Sequence, residues 1–409
     1  MANSHIGRDR DRWSDVGSLE VDAQEWLNDV LGETPAVSPD SSPLPSGGAE
    51  TGSRDLERLL GLMVELRASD LHLTPGQPPC MRVDGALARL PGEASLDKTT
   101  VWALLQPYLD ERRRARIRDE GGVDFAFGGT TGERYRCNLF LRSGQLIGAI
   151  RRLPATIPAI EELGLPPIVG ALARSPRGLV LVTGSTGSGK STTLAAIVDV
   201  LNATRPLHIV TIEDPVEYIH HHRMSLVHQR EIGEDAPSFA EAMRQVLRQD
   251  PDVILVGEMR DTETIRTALT AAETGHLVLA TLHTRDAPGA IHRIVDAFEP
   301  AQQDQVRHQI SVSLQGVISQ LLLPRADRPG RVLAAEVLVG TSAVRSMIRE
   351  QKVHQLRSVM QGSGNAGMQL MEQSLARLVN DGRVDLEVAL SQANAPEELR
   401  GLLRRNVVR

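Results

Sequence analysis

The eight residues Gly184-Ser185-Thr186-Gly187-Ser188-Gly189-Lys190-Ser191 constrain this chain most, because of what stands on either side of them. They follow the apolar run GLVLVT and precede TTLAAIVDVL, whose apolar residues recur at helical spacing. A strand, a glycine-rich turn and a helix in that order satisfy the P-loop pattern GxxxxGK[ST] in the context that gives it meaning. Gly184, Gly187 and Gly189 let the backbone curl so that its N–H groups face the phosphates of a bound ATP. The helix that follows adds the positive end of its dipole. Lys190 is placed to reach the β- and γ-phosphates, and the Ser191 hydroxyl to ligate Mg²⁺. Ser185, Thr186, Ser188 and Thr192 complete the nucleotide-binding segment. A chance glycine-rich turn would not require both flanking elements.

The surrounding texture gives the fold class. From about residue 155, apolar strands alternate with amphipathic helices: GLVLVTG, TTLAAIVDVL, HIVTIED, SFAEAMRQVL, DVILVG, TETIRTALTAAE, HLVLATLH. That alternation indicates an α/β domain with a mainly parallel sheet covered on both faces. Beyond Pro300 the run QQDQVRHQISVSLQGVISQLLL reads as largely helical. RVLAAEVLV reads as a strand, and the part from about 340 as helical. Residues 55–154 read as a separate small α+β domain: a helix (DLERLLGLMVELRA), strands DLHL and CMRVDGALARL, two helices, then alternating strands. Residues 1–54 read as a disordered tail ending in a Pro/Ser/Gly linker. Within it, 19–31 carries apolar residues at partly helical spacing, either a transient helix or a docking peptide.

Composition weakens some readings, nucleic-acid binding among them, without excluding a local basic channel. The 409 residues are enough for two or three domains, and 41% apolar content can supply real cores. Forty-five basic against 52 acidic residues give a net charge of −7, without the basic excess expected of a nucleic-acid binder. No stretch of about 18 apolar residues occurs, so no transmembrane segment is expected. Cys80 and Cys137 form no CxxC pair and read as buried thiols.

Hydrolysis needs further groups. After Asp252 comes the apolar strand Val253-Ile254-Leu255-Val256 and then Gly257-Glu258. Gly257 stands where many P-loop enzymes place the magnesium-associated aspartate. Glu258 is the candidate that orients and polarises the attacking water. Between these elements the strand exit TIEDPVE delivers Glu213, Asp214 and Glu217, three acids that need a cation or basic groups to meet them. We assign them to Mg²⁺, its waters or a positioning arginine, with Asp214 as a metal ligand beside Ser191 and Glu217 in the catalytic group. His276 and His283 flank LVLATL and cannot share a face of an extended strand. One of them, at the strand's end, could reach the γ-phosphate. The run His220-His221-His222 reads as an exposed loop rather than a metal site.

The segments GSTGSGKSTT, TIEDPVEY, DPDVILVGEMRD, TAAETGH and TLHT together resemble the type II/type IV secretion ATPase superfamily, and within it the PilT-like pilus retraction ATPases. The resemblance spans residues 55–385, including ASDLHL, RVDG, LVHQREIG and GMQLMEQSL; it leaves 1–54 unexplained. Residues 343–350, AVRSMIRE, resemble the AIRNLIRE motif of retraction ATPases, departing at Val344, Ser346 and Met347. Helical spacing turns Val344, Met347 and Ile348 toward a core and puts Arg345 and Arg349 on an outer face. The lack of a tetracysteine module agrees with retraction rather than assembly. The resemblance implies a PAS-like N-terminal domain, a RecA-like ATPase domain, and a homo-hexamer with ATP at the junction of domains and neighbours. It also implies cytoplasmic placement at the inner face of the membrane and a membrane platform protein as partner, with related accessory or assembly ATPases as further partners. Arg82, Arg136 and Arg151 match positions where the family keeps arginine, and we assign them with Glu213 and His276 to nucleotide contacts; a surface salt bridge is the plain alternative for each arginine. Glu258, Glu217, Lys190 and His283 form the expected catalytic group. Rival readings are another secretion, assembly or DNA-uptake motor, a nucleic-acid translocase, and an ATP-sensing accessory subunit.

Overall fold

The computed structural model describes residues 47–83, 85–130 and 132–407, so the 19–31 segment lies outside the described residues. The chain divides into two units, one ending at Pro154 and one beginning at Ala155.

The first unit opens with helix α1 (Gly47–Glu65), followed by strands β1 (Asp70–Leu73), β2 (Cys80–Val83) and β3 (Ala86–Arg89). Helices α2 (Lys98–Leu105) and α3 (Glu111–Glu120) precede β4 (Gly122–Gly128), β5 (Arg134–Arg142) and β6 (Gln145–Leu153). The strands pair in the order β3-β2-β1-β6-β5-β4, antiparallel at each junction. In α1, Leu56, Leu59, Leu60 and Met63 stand three or four apart and are all buried, so one helical stripe covers the sheet. The helix begins at Gly47, several residues before the expected start, although Gly47, Gly48 and Gly52 are poor helix formers. The highly charged α3 buries only Ile117. It is held by Arg113 over the Phe125 ring at 4.3 Å and Arg114 over Trp102 at 5.7 Å. Cys137 is buried, whereas Cys80 is half-buried, against the expectation that both thiols are inside.

The second unit contains α4 (Ile168–Ala173), β7 (Gly178–Thr183), α5 (Lys190–Thr204), β8 (His208–Glu213), β9 (Leu226–Glu231) and α6 (Phe239–Val246). Then follow β10 (Val253–Val256), α7 (Thr262–Glu273), β11 (Leu277–Leu282), α8 (Ala287–Asp296), α9 (Pro300–Ser313), β12 (Leu314–Pro324) and β13 (Arg331–Val339). Five helices close the chain: α10 (Ser342–Arg349), α11 (Leu356–Gly362), α12 (Met371–Asn380), α13 (Leu386–Gln392) and α14 (Pro396–Val407). The sheet order is β13-β12-β7-β11-β10-β8-β9, parallel throughout except for the antiparallel edge strand β13. Alternate residues feed two cores. Leu179, Leu181, Ile254, Val256, Val278 and Ala280 pack with α6 to α9. Val180, Val182, Val253, Leu255, Leu277 and Leu279 pack with α4 and α5. A strand buried on both faces is apolar without a break, as the sequence shows.

Two sequence expectations are corrected. The run after Pro300 is helical only to Ser313; Leu314–Pro324 is a strand between β7 and β13. An apolar run buried on both faces carries no period that separates strand from helix. Strand β9, LVHQRE, was not expected, because its alternation of Val227 against exposed neighbours is too short to stand out. Gly316 marks the first correction physically. A Cβ there would lie 2.7 Å from Leu172 Cδ1 and 2.9 Å from Leu338 O, so the strand fits only as glycine. Gly316→Ala should therefore cost about 1–3 kcal/mol, read as a lower urea midpoint at unchanged slope; wild-type stability would refute this packing.

Candidate functional site

Because β7, β11, β10 and β8 run parallel, their C-terminal ends share one rim, where open α/β sheets bind ligands. The register pairs Leu282 with Thr183, and Val256 with both Ala280 and Ile212. Gly184, His283, Gly257 and Asp214 thus leave the sheet side by side.

The P-loop turns out of β7 at Gly184, whose φ of 144° favours glycine. A Cβ there would fall 2.4 Å from Ser188 Oγ and 2.5 Å from Gln320 O, so the turn also requires close backbone approach. Ser188 is buried beneath it, while Ser185, Thr186 and Gly187 form the exposed tip. Gly189 caps the start of α5 in the left-handed region, at φ 92°. Lys190 Nζ donates to Gly184 O at 2.9 Å and Ser185 O at 3.0 Å, which leaves one of its three N–H groups for a further acceptor. Burial lowers its pKa, opposed by the negative charges of Glu258 and Glu217. Ser191 is half-buried, and Thr192 Oγ1 is 2.8 Å from the Tyr218 hydroxyl.

Glu258 sits just past β10 with its side chain largely sheltered. His283 Nε2 stands 3.0 Å and Arg260 Nε 2.7 Å from its Oε1. Both side chains thus reach Glu258 Oε1. Burial pushes this carboxyl up, but the hydrogen bonds from Arg260 and His283 outweigh it and hold the pKa below the ordinary glutamate value. Arg260 was not singled out from the sequence. Its signal was its place two residues after Glu258, which lets both side chains project to one side of an extended segment.

Gly257 explains the missing aspartate. A Cβ there would be 3.1 Å from Ile212 O and 3.3 Å from Glu213 Cα, so an aspartate would crowd the β8 backbone, which would have to give slightly. Glu213 is itself enclosed: Thr211 Oγ1 donates to it at 2.6 Å and Gln229 Nε2 at 3.2 Å. Burial raises its pKa despite these bonds, and Glu217 adds repulsion. Glu213 therefore belongs to the internal support of the turn rather than to its open side. Asp214, in a cis bond to Pro215, adds to the negative charge felt by Arg260.

Other expected residues fall elsewhere. His276 precedes β11 at the opposite rim, its Nδ1 3.0 Å from Ala271 O and its carbonyl accepting from Gly178 N. A six-residue strand separates it from His283 by about 20 Å, so within this chain it does not join the Lys190 group. Arg82, Arg136 and Arg151 occupy one cross-strand row of the first unit, with Asp70 between Arg82 and Arg151. Arg151 Nε lies 2.8 Å from Asp70 Oδ1, Arg82 Nε 3.9 Å from Asp70 Oδ2, and Arg136 Nε 3.4 Å from Asp124 Oδ1. Arg136 and Arg151, with Asp70 and Asp124, border a depression of about 330 Å³ that His72, Asn138 and Ala149 also line; Arg82 is not part of its lining. The histidine run is not wholly exposed: His220 is buried, and desolvation lowers its pKa to about 4. Arg345 does not face outward either; its guanidinium donates to the carbonyls of Gly340, Val312 and Leu314.

Comparison with known proteins fits this arrangement. Residues 159–391 match the family model described as type II/IV secretion system protein. The type IV pilus retraction ATPase PilT of Pseudomonas aeruginosa is 46% identical, covering 84% of this chain and 99% of its own length. A twitching motility protein of Neisseria gonorrhoeae is 44% identical over 82% of this chain and 91% of its own. Among solved structures, the pilus retraction motor PilT with bound ADP aligns at TM-score 0.79 and 48% identity, covering 84% of this chain and 98% of that one.

The grip on Glu258 fixes a pH dependence. A carboxyl held below its ordinary pKa is ionised above that value and loses its charge as pH falls through it. Arg260→Ala removes one of the two groups that lower it, so the acid limb of the nucleotide-hydrolysis profile should move to higher pH. An acid limb unchanged from wild type would show that Arg260 does not set this ionisation.

Proposed function

This chain belongs to the type II/IV secretion system protein family, and from that premise we propose that it is a motor ATPase that powers retraction of a type IV pilus. One observation carries the reading: Lys190 folds back onto the P-loop carbonyls of Gly184 and Ser185, while Arg260 Nε and His283 Nε2 both contact Glu258 Oε1 at the same rim of the sheet. In this reading the loop amides and Lys190 bind the β- and γ-phosphates of ATP. The Glu258 carboxylate orients a water in line with the γ-phosphorus and accepts its proton, while the bond to the β-phosphate oxygen breaks to leave ADP and phosphate. His283, with its proton on Nε2, and Arg260 hold the carboxylate still.

Among the described residues no three histidine, cysteine or acidic side chains converge as an all-protein metal site. Mg²⁺ takes few protein ligands and several waters alongside phosphate oxygens. The Ser191 hydroxyl and Asp214 would hold it, and when bound it neutralises phosphate charge.

The two units are read as a PAS-like domain, residues 55–154, and a RecA-like domain, 155–409. Arg82, Arg136 and Arg151 supply cationic charge from the first domain toward the nucleotide of an assembled homo-hexamer. Binding of ATP favours a closed state and product release an open one, so differential affinity drives the motion. The ring acts at the cytoplasmic face of the inner membrane on a platform protein. No helix among the described residues is long and apolar enough to cross a membrane.

The test is steady-state ATPase activity and sizing of the purified protein. Lys190→Ala should lose nucleotide binding, and Glu258→Gln should bind ATP while turning over at least about 100-fold more slowly. In cells, Glu258→Gln should leave pili extended and abolish twitching. Full turnover by Glu258→Gln would overturn the assignment of the base, and normal retraction with it would overturn the motor role.

A further inference from the structure

Glu336 lies near the middle of β13 and is 1% exposed. A carboxylate there is expensive, and nothing proposed so far uses it. Its two oxygens serve two different helices. Oε1 accepts the Ala287 N–H at 2.8 Å, at the first residue of α8; Oε2 accepts the Met371 N–H at 3.4 Å, at the first residue of α12. Each donor is one that helix geometry leaves without an internal partner. Helix α8 begins four residues after His283, through Thr284, Arg285 and Asp286. Helix α12 anchors the C-terminal cluster of Leu375, Leu378 and Leu399.

The same carboxylate closes a polar row across the sheet. Glu336 pairs with Ser319, and Ser319 with Thr183, the residue before the P-loop. Paired residues in neighbouring strands project to one face, and Thr183 Oγ1 donates to Ser319 Oγ at 2.9 Å. The base of the P-loop, the start of the His283 helix and the C-terminal helices thus meet on one side of the sheet.

We propose that Glu336 is a positioning residue: it locks the His283 loop to the C-terminal helices, so that the placement of His283 against Glu258 and that of α12 change together. This inference rests on the hydrolysis reading above. Burial pushes the Glu336 carboxyl up to about 7, with Asp286 and Glu372 adding repulsion against the two amide donors. A residue kept only for packing would avoid that cost; an apolar side chain would fill the space without it.

Glutamine at 336 keeps one acceptor oxygen but turns an NH₂ toward the second helix start, and alanine removes both acceptors. With folding verified by sizing and melting, Glu336→Gln should lower kcat about 10- to 100-fold and Glu336→Ala further, with KM for ATP within about threefold. A kcat equal to wild type in Glu336→Gln, or a loss confined to KM, overturns the inference. The second arm uses hydrogen exchange of the unmodified protein. Adding Mg²⁺ and ADP should slow exchange in 284–290 and 370–374 together, by about tenfold or more. A change in the first segment without the second, or in neither, overturns the inference whether or not the variants fold. Wild-type protein that shows this joint protection yet turns over no ATP would refute the hydrolysis reading and leave the coupling standing.

Discussion

Parallel pairing of β7, β11, β10 and β8 is the constraint on which the rest depends. Parallel strands need crossover helices, and those helices cover both faces of the sheet. That leaves the strand ends as the place where polar groups can gather. The P-loop after β7, the Asp214 turn after β8, Glu258 after β10 and His283 after β11 are all products of this geometry. Elements more than seventy residues apart in sequence become neighbours because their strands share a direction.

Charge at this rim is managed by opposing terms. Burial lowers the Lys190 pKa, yet two carboxylates pull it back. Burial raises the Glu258 pKa, yet Arg260 and His283 more than compensate. The result is an ammonium bonded to the Gly184 and Ser185 carbonyls and a carboxylate gripped by Arg260 and His283, both partly screened from water. Glu213 and Glu336 show the other outcome. There desolvation dominates, and the carboxyls act on backbone and neighbouring side chains as internal fasteners.

The first unit uses a different economy. Its helices cover one face of an antiparallel sheet, and the other face carries a row in which Arg82, Asp70, Arg151 and Arg136 follow one another across the strands. The alternation lets one carboxylate, Asp70, hold two guanidinium groups while leaving them at the surface. Burial raises the Asp70 pKa, but hydrogen bonds from Ser69 and Arg151 bring it below the usual value.

The sequence alone determined the phosphate cradle, since glycine spacing, Lys190 and the flanking strand and helix are all local. It also determined the two-sided burial of the sheet, through unbroken apolar runs, and the candidacy of Glu258 through its place after one of them. Only the tertiary structure decided the rest. Nothing local told that β12 is a strand, because an apolar run buried on both faces has no diagnostic period. Nothing local separated His283 from His276: they flank the same strand, and only the strand's direction in the sheet sends one to the P-loop rim and the other away. The roles of Arg260, Gln229 and Glu336 were hidden for the same reason, since each acts on partners brought to it by folding. Short-range geometry is written in neighbouring residues, whereas the partners of a buried charge are chosen by packing between distant ones.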